Sequence, residues 1–185
     1  SLMNCFTQPD KAERWVNAIQ KLSSDTNFVE MNLGNLKEFY QELTKKYRIE
    51  EHSDNIEYKN IKQEMTKEYE RYVLSILKRM SSGHSVVFMT ITRLVEKVDE
   101  RSLVLLDEPE SHLHPPLLSA FIRALSDLLI SRNAIAIIAT HSPVVLQEVP
   151  RDCVWKLFRH GKSMEIDRPK IETFGESVSD LTTEV

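Results

Sequence analysis

Asp107 and Glu108 directly follow the apolar run Leu103-Val104-Leu105-Leu106 and precede Pro109. Four apolar residues in succession describe a buried parallel strand, which puts the two carboxylates at its C-terminal tip. Ligands collect at that edge of open α/β sheets. An Asp there can hold Mg²⁺ beside a nucleoside triphosphate, and the adjacent Glu can orient or deprotonate an attacking water. An ordinary core strand ending in a solvated acidic turn has the same local pattern, so the neighbours decide. Downstream, Ala134-Ile135-Ala136-Ile137-Ile138-Ala139 reads as a second short buried strand and ends in Thr140-His141-Ser142-Pro143. His141 falls just past that strand, and Ser142-Pro143 starts a helix with Pro at its first position. If the two strands are adjacent and parallel, Asp107, Glu108 and His141 share one sheet edge.

Upstream, Met80-Ser81-Ser82-Gly83-His84-Ser85 precedes a helical stretch whose apolar face is Val87, Ile91, Leu94, Val95 and Val98. Small hydroxylated residues and a glycine at a helix start leave backbone N–H groups exposed, which suits a phosphate. The same residues also make an ordinary N-cap and turn. A complete nucleotide site further needs a Gly-rich turn ending in Gly-Lys-Ser/Thr. The chain has 4 glycines: Gly34, Gly83, Gly161 and Gly175. Gly161-Lys162-Ser163 matches the end of that motif, but Lys156 stands where its first glycine belongs. Met164 to Pro169 then alternates like a strand instead of opening a helix, so His160-Gly161 reads as a hairpin turn and the match as chance.

Taken in order, the three elements resemble the C-terminal half of an ABC-type ATPase head, in the SMC/RecF/OLD-like class of AAA ATPases. Met80 to Ser85 looks like the signature motif and Leu103 to Glu108 like Walker B. Glu110-Ser111-His112-Leu113-His114-Pro115 occupies the D-loop region, and Thr140 to Pro143 looks like the switch-histidine loop. The resemblance covers residues 75–185. It departs from the family at His84, where Gln is more frequent. It implies ATP and Mg²⁺ as cofactors, with Asp107 holding the metal and Glu108 and His141 catalytic. Ser81, Ser82, Gly83 and His84 would contact the γ-phosphate of ATP held by a second head. The implied assembly is a homodimer closed around ATP, driving an effector nuclease or a DNA-directed activity such as repair or phage defence. Walker A is not found in these residues.

The elements around these motifs read simply. Asp10 with Glu13 suggests a capping pair, followed by an apolar stripe at Ala12, Trp15, Val16, Ile19 and Leu22. A second stripe runs through Leu33, Leu36, Tyr40, Leu43 and Tyr47. The polar stretch Ile49 to Asn60 reads as a loop, and a third stripe, Ile61 to Met80, leads into the Ser-Ser-Gly turn. The aromatic residues read as packing, and the basic clusters Lys45-Lys46-Tyr47-Arg48 and Lys78-Arg79 as solvated helix faces. Pro115-Pro116 opens a helix with the face Leu117, Leu118, Phe121, Ile122, Leu125, Leu128 and Leu129. Strand, helix, strand is a βαβ unit. Cys153 to Phe158 and Lys162 to Asp167 suggest a hairpin finishing the same sheet. The expected architecture is α/β, a partial P-loop NTPase fold with a short, mainly parallel sheet flanked by helices. Residues 1–79 form a helical lobe, and residues 80–185 the C-terminal part of the ATPase domain.

Bulk properties set bounds. With 185 residues, 41% hydrophobic, the chain can bury one proper core, and its net charge of −4 argues against a chain-wide nucleic-acid surface. Cys5 and Cys153 show no metal spacing or disulfide framework, which suits a reducing cytoplasm. No apolar run approaches membrane-spanning length, so no membrane partner is expected. Ser1-Leu2 ahead of Met3 reads as a cloning remnant, and Glu176 to Val185 begins an amphipathic pattern with no closing cap. Both suggest a portion of a longer protein, its P-loop elsewhere and this portion inactive alone. Two other classes compete. One is a metal-dependent hydrolase using Glu108, Glu110, His112 and His114. The other is a non-catalytic interaction module; Asp107, Glu108 and His141 together speak against lost turnover.

Overall fold

Apolar stripes at helical spacing build the first half of the chain. The computed structural model describes residues 2–48 and 56–184. Among the described residues, the unit up to Val98 is built from α1 (Leu2–Phe6), α2 (Pro9–Leu22), α3 (Thr26–Glu30), α4 (Asn35–Lys46), α5 (Ile56–Leu77) and α6 (Ser82–Lys97). Helices α1 and α2 pack on α6, and α4 packs on α5. Trp15, Leu22, Leu36, Leu43, Met65, Tyr69 and Ile91 are almost fully buried, as their stripes require. The aromatic rings are packing residues. Phe6 meets Trp15 edge-on at 4.9 Å, and Phe39 lies 4.3 Å from Tyr72. The indole N–H of Trp15 donates to the Thr92 hydroxyl at 3.0 Å, so the buried indole keeps its polar atom paired.

Two sequence expectations change here. No side chain caps α2; its N-cap is Gln8, and Asp10 instead pairs with Arg14 one turn on, at 2.8 Å. Within the polar stretch Ile49 to Asn60, residues 49–55 lie outside the described residues. Ile56 to Asn60 are helical, the first turns of α5. Lys59 and Asn60 there are exposed, on a helix where a loop was expected.

The second unit runs from Asp99. It contains β1 (Leu103–Asp107), α7 (Pro115–Ser131), β2 (Ile135–Ala139), α8 (Pro143–Gln147), a 3₁₀ turn at Arg151–Cys153, β3 (Lys156–His160), β4 (Ser163–Asp167) and α9 (Val178–Glu184). Strands β1 and β2 are adjacent and parallel, with Leu103 opposite Ile135 and Asp107 opposite Ala139. That is the expected βαβ unit: an α/β arrangement with a short parallel sheet and flanking helices. Helix α7 buries Leu117, Leu118, Phe121, Ile122, Leu125 and Leu128. Pro143 opens α8 as expected, and Leu181 of α9 is fully buried, with α9 packed on α8.

Two features of the sheets depart from expectation. Both parallel strands were expected to be buried, yet one face is bare. Leu103, Leu105, Ile135 and Ile137 are 59–69% exposed, and the register sets them side by side. Parallel strands ordinarily have both faces covered, which is why their sequence is apolar on both. The expected hairpin forms, but as a separate two-stranded antiparallel sheet that does not extend β1–β2. Its first strand begins at Lys156, since Cys153 lies in the 3₁₀ turn. Its turn is Gly161-Lys162, with Gly161 at φ 60°, where an L side chain would be strained.

Candidate functional site

The parallel register decides the geometry of the strand tips. Asp107 is the last residue of β1, and the Glu108 amide extends the ladder by donating to the Ala139 carbonyl at 2.8 Å. Glu108 itself has φ 43°, a left-handed backbone rare for a side chain of this size. Strained residues of this kind concentrate at functional positions. Two residues past β2, His141 brings its Nδ1 to 3.6 Å from Glu108 Oε1 and 3.3 Å from Glu110 Oε1. The imidazole is 72% exposed and the Glu108 side chain 57%. Both are therefore accessible to a ligand while anchored by the strands behind them. Asp107, also exposed, offers the oxygen donor of a hard cation such as Mg²⁺.

In the sequence, Glu110 figured in the D-loop pattern and in the alternative metal-ligand cluster. In the structure its Oε1 accepts from the Thr140 hydroxyl at 2.7 Å and from the His141 amide at 2.9 Å. Burial alone would push its carboxyl up. The Thr140 hydroxyl, the backbone amides and the nearby His141 outweigh that and hold it below the usual carboxylate range. The acid is therefore ionised, and it joins the segment after β1 to the segment after β2.

The Ser-Ser-Gly turn, in the first unit, caps α6. Ser81 Oγ accepts from the His84 amide at 3.3 Å and lies 2.7 Å from His84 Nδ1. Ser81 and Ser82 are exposed, whereas Gly83 and His84 are buried. The His84 ring turns inward, with Nε2 3.1 Å from Asp25 Oδ1, the carboxylate that caps α3 through the Asn27 amide. The ring thus supports the turn from behind, and the exposed polar surface of the motif is Ser81 and Ser82. Asp25 escaped the sequence reading because it lies 59 residues from His84 and no local pattern links them.

Neither competing cluster gains support. Among the described residues, Glu108, Glu110, His112 and His114 do not converge as ligands for one ion. Glu110 turns toward Thr140, and the His114 ring accepts from the Leu117 amide to cap α7. Gly161-Lys162-Ser163 spans a β-hairpin, where a phosphate loop would open a helix. No helix among the described residues is long and apolar enough to cross a membrane.

Asp-Glu at one strand tip and a histidine loop at the next, within a βαβ unit, stand at the edge where open α/β sheets bind their ligands. A family model described as "AAA domain, putative AbiEii toxin, Type IV TA system" matches residues 8–147, so the chain belongs to this AAA-domain family, one of ATPase type. Over all 185 residues the chain is 51% identical to Protein ea59 of Escherichia phage lambda. It spans 34% of that relative's length.

Proposed function

We propose that this chain carries the hydrolytic edge of an ABC-type ATPase head, of the kind seen in SMC/RecF/OLD-like proteins. The observation that carries the reading is the approach of Glu108 Oε1 and His141 Nδ1 to 3.6 Å at the tips of adjacent parallel strands. Asp107 would hold Mg²⁺, which when bound neutralises charge developing on the transferred phosphoryl group. Glu108 accepts a proton from, or orients, the attacking water. His141 donates to the γ-phosphate and responds to its loss. The exposed hydroxyls of Ser81 and Ser82, with the free amides at the start of α6, bind the γ-phosphate of nucleotide on a second copy. Hydrolysis then needs a dimer, and the phosphate loop that grips ATP comes from residues beyond these 185. The bare face of β1–β2 suits this reading, since a parallel sheet is normally covered on both sides. What the cycle drives, whether a nuclease, DNA transaction or defence response, is carried by the remainder of the protein.

The test compares Mg-ATP binding and turnover by these 185 residues with those of the complete reading frame containing them. Silence in the first and activity in the second is the expected result. In the active form, Glu108→Gln should retain ATP binding, accumulate dimers and lower turnover at least about 100-fold, in line with the loss of a general base. Normal turnover in that variant would remove the assignment.

A further inference from the structure

Glu110 has no part in the roles just given, yet it is the most firmly held acid near the strand tips. Its side chain is 10% exposed, and all its hydrogen bonds converge on Oε1, from the Thr140 hydroxyl at 2.7 Å and the His141 amide at 2.9 Å. His141 Nδ1 lies 3.3 Å from the same oxygen. Thr140 Oγ1 in turn accepts from the Ser142 amide at 3.0 Å. One carboxylate oxygen therefore fastens Thr140 and His141 of the loop after β2 to the loop after β1, with Ser142 joined through the Thr140 hydroxyl. Its other oxygen, Oε2, is buried with no hydrogen-bond partner among the described residues.

The need for such a clasp follows from exposure. The His141 ring projects into solvent, and among the described residues it meets the carboxylates of Glu108 at 3.6 Å and Glu110 at 3.3 Å. Packing does not confine it. What confines it is its backbone, which Glu110 holds through the His141 amide and, beside it, the Thr140 hydroxyl. We propose that Glu110 is the positioning residue of the histidine loop, fixing its backbone so that the imidazole stays beside Glu108 in the geometry that hydrolysis uses. This rests on the reading of the Glu108–His141 edge as an ATP-hydrolysing site.

The geometry distinguishes a clasp from a charge effect. In Glu110→Gln, the amide oxygen can occupy the Oε1 position and accept both hydrogen bonds, while the amide nitrogen takes the unpaired Oε2 position. Glu110→Ala removes both bonds. Two readouts are needed. In this chain, amide exchange at His141, followed by NMR, should accelerate about 10-fold or more in Glu110→Ala and stay within about threefold of wild type in Glu110→Gln. In the complete, Mg-ATP-hydrolysing protein, Glu110→Ala should lower kcat by about 100-fold, as a misplacement of roughly 1 Å does, with KM within about threefold. Glu110→Gln should restore most of kcat. A purely structural carboxylate would give neither the kcat-against-KM split nor the rescue.

Unchanged kcat in Glu110→Ala, with Glu108→Gln inactive, overturns this proposal and leaves the ATPase reading intact. Equal losses in the Ala and Gln variants also overturn it, by assigning the effect to charge. Should Glu108→Gln turn over normally, the ATPase reading falls and takes this one with it; the exchange data would still separate that case from a missing clasp. If the Ala variant fails to fold, Thr140→Val, which removes one of the two bonds, should show an intermediate kcat loss, and wild-type kcat there overturns the clasp.

Discussion

Asp25 Oδ1 lies 3.1 Å from His84 Nε2, with both side chains only 5% exposed. An ionised carboxylate only accepts hydrogen bonds, so Nε2 carries the proton facing Asp25, while Nδ1 lies 2.7 Å from the Ser81 hydroxyl. The start of α6 is therefore tied to the start of α3 through one imidazole. Phe28 of α3, 5.1 Å from the ring, completes the packing.

Removing this acid should be costly and pH-dependent. Burial tends to raise the Asp25 pKa, but the His84 hydrogen bond, the Asn27 amide and the His84 charge outweigh it and keep it below the usual range. Because the folded-state value is depressed, the stabilisation is fully present above the unfolded Asp value of about 3.9 and is lost as pH falls through the folded value. Asp25→Asn should cost about 2 kcal/mol near neutrality, typical of a hydrogen bond to a charged group. Urea midpoints for wild type and variant should then converge below about pH 4. A gap that stays constant down to pH 2 would show that the carboxylate charge is not its source.

The two thiols should behave differently. Cys5 is fully buried, its Sγ 3.5 Å from the Thr92 carbonyl, and burial first, then Glu96, push its pKa up to about 11. Cys153 is exposed. A thiol-specific chromogenic reagent at pH 8 should label Cys153 at once and Cys5 only at the rate of unfolding, because the thiolate is the reactive form. Rapid labelling of both thiols in native protein would contradict the packing of α1 against α6.

The bare face of β1–β2 makes a prediction about cost. Leu105 and Ile137 stand opposite each other and are 69% and 59% exposed. In this chain, Leu105→Thr and Ile137→Thr should each change stability by no more than about 0.5 kcal/mol, as surface substitutions do. The double variant should also bind less of a hydrophobic dye. A loss above about 2 kcal/mol, the scale of a buried leucine, would show that the face is covered.

Much of the site was legible because its parts are local. Continuous apolar runs marked β1 and β2, and the stripe after Pro115 marked α7. Given that strand–helix–strand order, Asp107, Glu108 and His141 had to meet at one edge if the strands paired. Glu110 was in plain view within the same motif, but nothing in its spacing announced that its carboxylate would turn to Thr140, 30 residues away. His84 was read as a phosphate contact, since its sequence neighbours are a helix start. Its burial against Asp25 came from helices packing.

By itself, then, the sequence determined the order and type of the elements around the site and which chemistry stands at the strand ends. Periodicity and capping act over a few residues, so they can be read without the fold. Tertiary structure decided which face of the parallel sheet is covered, and that the hairpin pairs only with itself. It also decided which buried acids hold the two histidines. Those outcomes depend on surfaces meeting across dozens of residues, where hydrogen bonding and burial select partners that no local pattern specifies.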